Sequence, residues 1–389
     1  MRIACVTTYD LNDRSTWPRG WIGICSCTYR AAKTFEALSL GVEYVGPLSH
    51  HYSLLSRAKF RLWKRGLHKR HYIEVDRSAV RSYARQIAKK LAASKADAVW
   101  CHENAVPIAY LRSQVPIVLW TDATLASMID WYPYFAELCG ESVREIYAVE
   151  KAALQNCSLI VYPSQWAAQS AIDTYGIDSS KIKVVPYGPN MESGKTRSEV
   201  EAIVDSRPAA PCRLLFIGTD WIRKGGNVAA QVAASLNESG LEAELTVVGC
   251  SPSALEPLQS FLKIAGYLDT SKPKDAEELR NLIARSHFLL LPTTADCFPS
   301  VLTEANSFGV PALATKVGGL ETQIHDGLNG MTFRLDAPVS EYCDFITALM
   351  ADRERYRALA LSSFDQQHTR LNWSVSCAEV SQLITELIC

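Results

Sequence analysis

Two acidic side chains, Asp296 and Glu304, lie eight positions apart in the run ADCFPSVLTEANSFGVPALAT, residues 295–315. The run predicts a loop and then a helix that begins near Pro299 and Ser300, because proline suits the first helical position. The free N–H groups and the dipole of such a helix attract anions. Glu304 can accept hydrogen bonds from a vicinal diol such as a ribose, and Asp296 from the hydroxyls of a second ring. Spacing alone equally allows Asp296 as a loop or capping residue and Glu304 as a solvated helix acid.

The elements that must position these acids are short apolar runs alternating with helical segments. The predicted strands of the first half lie at residues 2–7, 97–101, 116–120, 158–162 and 183–187. Those of the second half lie at residues 213–218, 245–249, 287–292 and 310–315. Such alternation predicts parallel sheets with helices on both faces. We therefore expect an α/β protein with two doubly wound, Rossmann-like domains that face each other across a cleft.

The domain borders follow from composition. Residues 191–211 interrupt the alternation with glycine, proline, serine and charged residues, which predicts a linker. It would join an N-terminal domain at residues 1–190 to a C-terminal domain at residues 212–370. A length of 389 residues suits two such domains.

Charge and cysteine content restrict the class of protein. The formal net charge is −1, which gives no general attraction to nucleic acid. The start of the chain has no signal-peptide pattern, and no apolar run is long enough to span a membrane. The twelve cysteines form no CxxC pair and are interpreted as reduced thiols. These features predict a cytoplasmic protein.

Several ligand motifs fail on spacing. The run GPNMESGKT, residues 188–196, has five residues between its glycines where a phosphate loop needs four. No GxGxxG is present, which disfavours a nicotinamide or flavin dehydrogenase. His102 and Glu103 lack the second histidine of a zinc helix, and no DxD could hold a metal diphosphate. We therefore expect no metal and no cofactor, with protein cations and backbone groups offsetting any diphosphate charge.

The run that begins at Asp296 resembles the donor-site segment of the retaining family-4 glycosyltransferases, which have the GT-B fold. In that family an acid is followed after seven residues by glutamate, then by a strand and a glycine-rich tail. Asp296 stands where the first acid is usually glutamate. The other matching positions are Glu304, Gly309, Pro311, Gly318, Gly319, Glu321, Gly327, Asn329 and Gly330.

Two further segments extend the resemblance. The run KIKVVPYGPN, residues 181–190, is similar to the strand before the family's interdomain connection. The run LLFIGTDWIRKGG, residues 214–226, is similar to a first strand and loop whose arginine and lysine reach the donor diphosphate. Lys224 matches that lysine, Thr219 stands in place of the arginine, and Arg223 is the candidate replacement. Solvated loop charges are the alternative for Arg223 and Lys224. A helix at residues 371–389 resembles the family's closing helix, which packs back on the N-terminal domain.

The resemblance implies a retaining, metal-independent transfer of a sugar from a nucleoside diphosphate sugar to an acceptor hydroxyl. The C-terminal domain would bind the donor, and the N-terminal domain would face the acceptor, which is a sugar, a lipid-linked molecule or a protein. Lys224, Arg223 and Asp296 are the expected catalytic residues of the C-terminal domain. The expected donor-binding residues are Glu304, Phe298, Pro299, Ser300, Val301, Gly218 and Thr219, with Tyr267 and Leu268 beside the base and Gly20 in a glycine loop near the diphosphate.

Asp122 and His102 are the N-terminal candidates. Asp122 follows the predicted strand PIVLW, so it is expected to contact the donor sugar or the acceptor hydroxyl. Capping of the next helix is an equally good interpretation of Asp122. His102 also ends a strand, and a structural histidine is the favoured interpretation there.

A basic segment lies at residues 57–72, RAKFRLWKRGLHKRHY, with seven Lys or Arg and no acid. It could contact an anionic membrane surface, such as the inner face of a membrane, or an anionic acceptor. A solvated face is the alternative. Two other functions also remain open, a catalytically silent nucleotide-sugar binding protein and a GT-B sugar-nucleotide epimerase.

Overall fold

The chain folds into two compact units in the computed structural model, which describes residues 1–66, 68–191, 193–252 and 259–389. The first unit comprises Met1–Tyr187 together with Trp373–Cys389, and the second comprises Gly188–Asn372. The sequence-based borders at residues 190 and 370 therefore lie close to the points where the chain passes between units. At residues 19 and 64–66 only the backbone is described.

Strands and helices alternate along most of the described chain. The strands are β1 (Arg2–Val6), β2 (Gly41–Tyr44), β3 (Ala98–Cys101), β4 (Ile117–Trp120), β5 (Leu159–Tyr162), β6 (Ile182–Val184), β7 (Cys212–Ile217), β8 (Ala243–Val248), β9 (Leu262–Gly266), β10 (Phe288–Leu291), β11 (Ala312–Thr315) and β12 (Gly330–Phe333). The helices are α1 (Ile22–Ala37), α2 (Leu54–Gly66), α3 (Arg77–Leu91), α4 (Leu125–Met128), α5 (Gly140–Asn156), α6 (Gln165–Tyr175), α7 (Arg197–Ser206), α8 (Gly226–Glu238), α9 (Pro273–Ala284), α10 (Ser300–Asn306), α11 (Leu320–Gln323), α12 (Val339–Ala351), α13 (Arg353–Thr369) and α14 (Trp373–Ile388).

The first unit is built on a six-stranded parallel sheet with the order β2-β1-β3-β4-β5-β6. Every residue of β3, β4 and β5 is buried, as expected for central strands of a parallel sheet covered by helices. The last helix, α14, packs against α1 and buries Cys377, Val380 and Ile384. The C-terminal segment is therefore part of the first unit.

The second unit repeats this plan with the order β12-β11-β10-β7-β8-β9, again entirely parallel. Its central strands β10 and β11 are fully buried. In both sheets the chain starts in the middle and adds strands to either side. The change of direction lies between β1 and β3 in the first sheet and between β7 and β10 in the second.

The prediction of a linker at residues 191–211 is wrong for most of that segment. Thr196 and Glu199 form a capping box that starts α7, in which each side chain accepts from the backbone N–H of the other residue. Val200 and Val204 are buried, and α7 packs against α13. The polar residues that suggested a linker are thus the cap and outer face of an ordered helix in the second unit.

Within the described residues, no helix combines the length and the apolar character that a membrane crossing requires.

Candidate active site

The second sheet brings two predicted segments together. Because β7 and β10 are neighbours, the loops that follow them meet at the carboxyl ends of the strands, where the sheet order changes direction. Ligands of doubly wound sheets bind at this position. Gly218–Gly225 follow β7, and Pro292–Pro299 follow β10.

Lys224 and Asp296 form a close ion pair across these loops. The Lys224 ammonium donates to both carboxylate oxygens of Asp296, with Nζ 2.9 Å from Oδ1 and 2.7 Å from Oδ2. The Arg223 guanidinium lies 3.5 Å from Asp296 Oδ1 and donates to the Ala295 carbonyl oxygen at 2.6 Å. The three side chains are 12%, 17% and 7% exposed for Lys224, Arg223 and Asp296. Arg223 Nε also lies 3.6 Å from Asp220 Oδ2, so two cations and two carboxylates form an ion-pair network here. The two cations of this network can bind an anionic ligand. Arg223 and Lys224 are therefore not merely solvated loop charges.

Glycines allow the β7 loop to adopt this course. A Cβ on Gly218 would lie 2.9 Å from Lys224 Cγ, so the lysine side chain packs over the glycine. Gly225 has φ +79°, and a Cβ there would lie 1.9 Å from the Pro292 carbonyl oxygen. The neighbouring loop secures the same turn, because Thr294 N donates to the Arg223 carbonyl oxygen at 2.8 Å.

Glu304 lies inside α10 and is only 6% exposed, so the interpretation of a solvated helix acid is wrong. Helix α10 begins at Ser300, and Pro299 occupies the N-cap position rather than the first helical position. The N-cap residue Pro299 makes no side-chain capping hydrogen bond. Ser300 Oγ instead accepts from Asn190 Nδ2 at 3.1 Å.

The glycine-rich tail holds the loop before α10. Gly319 N donates to the Cys297 carbonyl oxygen at 2.9 Å, and Gln323 Nε2 donates to that of Pro299 at 2.9 Å. Asn329 is fully buried and donates to Asn306 Oδ1 at 2.9 Å. These residues are structural, and they fix the backbone that carries Phe298 and Asp296.

The remaining predicted donor-binding residues differ in their distance from this cluster along the sheet. Phe298, in the loop before α10, is buried, and Val301, in the first turn of α10, is half-buried. Thr219 is exposed in the loop after β7. Tyr267 and Leu268 follow β9, which is separated from β7 by β8, and the Tyr267 side chain is 62% exposed.

The candidates of the first unit fall into two groups. Asp122 follows β4, but Thr124 is the residue that caps α4, through its contact with Ser127 N, so the capping interpretation of Asp122 is wrong. His102 is fully buried, with Nδ1 3.1 Å from Thr28 Oγ1. Burial lowers the pKa of His102 to about 3, so the imidazole is neutral and structural. Gly20 is exposed in a short turn, with open space where a Cβ would lie.

The sequence reasoning missed a pocket of about 530 Å³ that lies wholly within the first unit. Its lining includes Asp10, Glu74, Glu103, Tyr83, Tyr134 and Gly20. Glu103 lies two residues beyond the end of the buried strand β3, and an acid at that position is a recognisable signal for a site. Within the described residues, no group of three or more His, Cys, Asp or Glu side chains is arranged to hold a metal ion.

Comparison with known proteins identifies the family of the chain and relates its fold to solved structures. Residues 211–352 match the family model "Glycosyl transferases group 1", and residues 42–193 match "Glycosyltransferase Family 4". A D-inositol 3-phosphate glycosyltransferase of Nocardia farcinica is 27% identical over 223 residues, which cover 54% of this chain and 49% of the relative. The chain thus spans about half the length of this curated relative.

Solved structures match the chain over nearly its full length. Sucrose-phosphate synthase from Thermosynechococcus elongatus has a TM-score of 0.68 at 14% identity and covers 99% of this chain and 98% of its own. Anabaena Alr3699/HepE in complex with UDP-glucose has a TM-score of 0.63 at 14% identity, with both chains fully covered. At this identity the likeness establishes the fold. The two family models together span most of the sequence, and the chain belongs to the family-4 glycosyltransferases of the GT-B fold.

Proposed function

We propose that the protein transfers a sugar from a nucleoside diphosphate sugar to an acceptor hydroxyl. The observation that carries this proposal is the pair of cations Lys224 and Arg223, held by Asp296 where β7 and β10 end in the unit that matches the group 1 family model. The buried carboxyl group of Glu304 lies on the helix that follows the same loop.

Each residue of the cluster has a proposed role. Lys224 and Arg223 bind the diphosphate, and the backbone at Ser300 and Val301 adds N–H donors. Glu304 accepts hydrogen bonds from the ribose hydroxyls, and Asp296 orients the sugar while it holds Lys224. Gly218 and Thr219 border the diphosphate, Phe298 and Pro299 shape the sugar side, and Tyr267 and Leu268 border the base.

The proposed reaction retains the configuration of the sugar and needs no metal. The bond between the anomeric carbon and the diphosphate breaks, and a bond to the acceptor oxygen forms on the same face. The acceptor proton leaves with the released nucleoside diphosphate. Negative charge grows on the diphosphate in the transition state, and preorganised cations such as Lys224 stabilise it. Asp122 is proposed to contact the sugar or the acceptor hydroxyl.

Two other functions would use the same donor site. A silent binding protein would protect the sugar nucleotide, and a sugar-nucleotide epimerase would convert it without an acceptor. Thr219, which stands in place of a cationic residue, is the feature that favours the silent binder. Products of donor turnover distinguish these functions from transfer.

Binding of the donor is tested by a thermal-shift panel of UDP, GDP, ADP, CMP and dTDP. Binding stabilises the folded state by about 2.7 kcal/mol when the ligand concentration is 100 times Kd. We expect one nucleoside diphosphate to raise Tm and this shift to be lost in Glu304→Ala. Glu354→Ala, at an exposed position on α13, is the matched control and should keep the shift. Absence of a shift with every nucleotide would contradict the proposed donor site.

We also propose that α2 contacts an anionic lipid surface, which would place the protein at the cytoplasmic face of a membrane. Leu54, Leu55 and Leu62 are 85%, 66% and 62% exposed on this helix. Arg57 and Arg61 are exposed between them, whereas Lys59 pairs with Glu141. Exposed leucines among cations match the chemistry of an anionic membrane surface.

A further inference from the structure

The pocket of the first unit lies where an α/β sheet binds ligands. Thr8 and Asp10 follow β1, and Glu103 and Asn104 follow β3. These strands are neighbours at the point where the sheet order changes direction. A volume of about 530 Å³ is within the range of small-molecule sites. The pocket therefore has the position and size for a ligand of one or two sugar rings.

Glu103 provides a fixed acceptor in this pocket. Thr8 N donates to one carboxyl oxygen at 2.9 Å, and Thr8 Oγ1 donates to the other at 2.5 Å. The side chain is only 4% exposed. Each oxygen has a second lone pair, so the group can accept further hydrogen bonds from the hydroxyls of a ligand.

Glu74 and Asp10 add two more carboxyl groups. Glu74 accepts a hydrogen bond from the Tyr72 hydroxyl at 2.9 Å, and Asp10 accepts one from Asn12 N at 2.9 Å. Burial raises the pKa of Glu74, and it raises that of Glu103 to about 7. The site therefore disfavours negative charge. A phosphate placed here would be opposed by its own loss of hydration and by the carboxylate charge that remains.

Aromatic side chains form the rest of the wall. Tyr83 contacts His50 Nδ1 at 2.5 Å through its hydroxyl, and Tyr134 and Trp21 also line the pocket. Carboxyl acceptors beside aromatic faces match the alternating hydroxyl and C–H surfaces of a polyol ring.

The described residues that line the pocket include no Lys and no Arg side chain. They therefore supply no cation that could compensate the charge of a phosphate group. Arg70 lies nearby, but its guanidinium stacks over the Tyr134 ring at 5.5 Å and donates to the Pro133 carbonyl oxygen. His50 has its pKa lowered by burial and by His51, so it is mainly neutral at neutral pH.

We infer that this pocket binds the acceptor as an uncharged polyhydroxylated molecule and excludes its phosphorylated counterpart. The statement that the ligand is the acceptor rests on the proposed function. The statement that the ligand is uncharged rests on the residues of the pocket alone. Glu74, Glu103 and Asp10 select the ligand by accepting hydrogen bonds from hydroxyls and by repelling phosphate. This specificity differs from that suggested by the name D-inositol 3-phosphate glycosyltransferase, which specifies a phosphorylated polyol.

Matched pairs of probes test the inference on the full chain. The pairs are myo-inositol with myo-inositol 1-phosphate, and methyl α-glucoside with glucose 6-phosphate. Ligand-observed saturation-transfer NMR measures binding without a donor. We expect at least one neutral probe to bind, and its phosphorylated partner to bind about tenfold more weakly or worse because of like-charge repulsion.

Variants that replace a pocket carboxyl group by an amide identify which groups discriminate against the phosphorylated probes. Glu74→Gln and Glu103→Gln keep the side-chain size and should bring the affinities for the two members of a pair closer together. Glu386→Gln, at an exposed position on α14, is the matched control and should leave the ratio unchanged. The nucleotide thermal shift of each variant confirms that it is folded.

Several results would overturn the inference. These are equal or tighter binding of the phosphorylated probes to the wild type, binding of no neutral probe, or a ratio unaffected by both glutamine variants. Arg19 lies in the loop between Pro18 and Gly20, with a side chain outside the described residues. Phosphate binding that is lost in Arg19→Ala would assign a phosphate site to that residue and also refute the inference. Neutral probes that bind while the donor is never consumed would instead refute the proposed transfer.

Discussion

A lysine that stabilises a leaving diphosphate must be held in place and yet remain positive enough to attract it. In the second unit Asp296 holds the Lys224 ammonium through both carboxylate oxygens, and Arg223 adds a second cation at 3.5 Å. The pair preorganises the lysine, and Arg223, which also lies 3.6 Å from Asp220, places a second cation beside it. Preorganised charge of this kind costs no reorganisation when the reaction occurs.

The position of Lys224 depends on the absence of a side chain at Gly218. In Gly218→Ala the new methyl group would lie 2.9 Å from Lys224 Cγ, so the lysine must shift. We expect donor turnover to fall roughly ten- to a hundredfold, because small displacements of a catalytic group have effects of that size. The measurement is the rate of sugar-nucleotide consumption at saturating donor.

Gly140→Ala is the matched control for that variant. Its Cβ would lie 3.5 Å from Arg144 Nη1, an ordinary contact, at the start of α5. The control should keep wild-type turnover and Tm. Full activity in Gly218→Ala with an unchanged Tm would show that the placement of Lys224 over this glycine is unimportant.

Single residues differed in how well the sequence predicted them. Lys224 and Glu304 stand at motif positions, and the structure brings their loops to one edge of one sheet. The pairing of Lys224 with Asp296 was not predicted, because it joins residues in two distant loops. Glu74 and Glu103 were missed for the same reason: only the folded sheet brings them to one pocket.

Among the elements, apolar runs predicted the central strands well, but of the described edge strands they predicted only β6. The runs at β3, β4, β5 and β10 are continuous because these strands are fully buried. Edge strand β2 is partly exposed and was not predicted. Helix α7 was mistaken for a linker because its buried face has few residues, chiefly Val200 and Val204.

Helix α2 provides a prediction about lipid binding. We expect the protein to sediment with phosphatidylglycerol vesicles more strongly than with phosphatidylcholine vesicles, and less strongly as salt is raised. Each basic residue near an anionic surface contributes about 1 kcal/mol, so Arg57→Glu with Arg61→Glu should reduce binding by at least tenfold. Replacing Leu54, Leu55 and Leu62 by serine should also weaken it.

The matched control replaces exposed apolar residues elsewhere. Leu328 and Leu335 are 45% and 57% exposed in the second unit, and their replacement by serine should leave vesicle binding unchanged. Equal binding to both lipids, or equal loss in the two sets of serine variants, would contradict a role for α2 as the lipid-contacting surface.

The whole molecule repeats one sheet plan, with paired cations at the change of strand direction in one unit and carboxyl groups without described cations at the equivalent point in the other. At the change of strand direction, the second unit has two cations, Lys224 and Arg223, paired with Asp296 and Asp220. The first unit has a pocket lined by three acidic side chains at its own change of direction. One point suits a diphosphate and the other suits an uncharged polyol, which is the division of substrates that the proposed transfer needs.

The repeated sheet plan was predictable because it depends on local alternation of strands and helices. The chemical class of the proposed acceptor was not predictable from the sequence, because the residues that line the pocket come from segments scattered between residues 8 and 134. Only the strand order decides which of these segments share an edge.

The central claim is that Lys224 drives cleavage of a nucleoside diphosphate sugar. Time-resolved proton NMR of the donor, with a chelator present throughout, tests it in wild type and Lys224→Ala. We predict slow consumption by the wild type without acceptor, first release of the sugar with the anomeric configuration of the donor, and no detectable consumption by the variant. Donor intact in both samples, or consumed at equal rates in both, would contradict the claim.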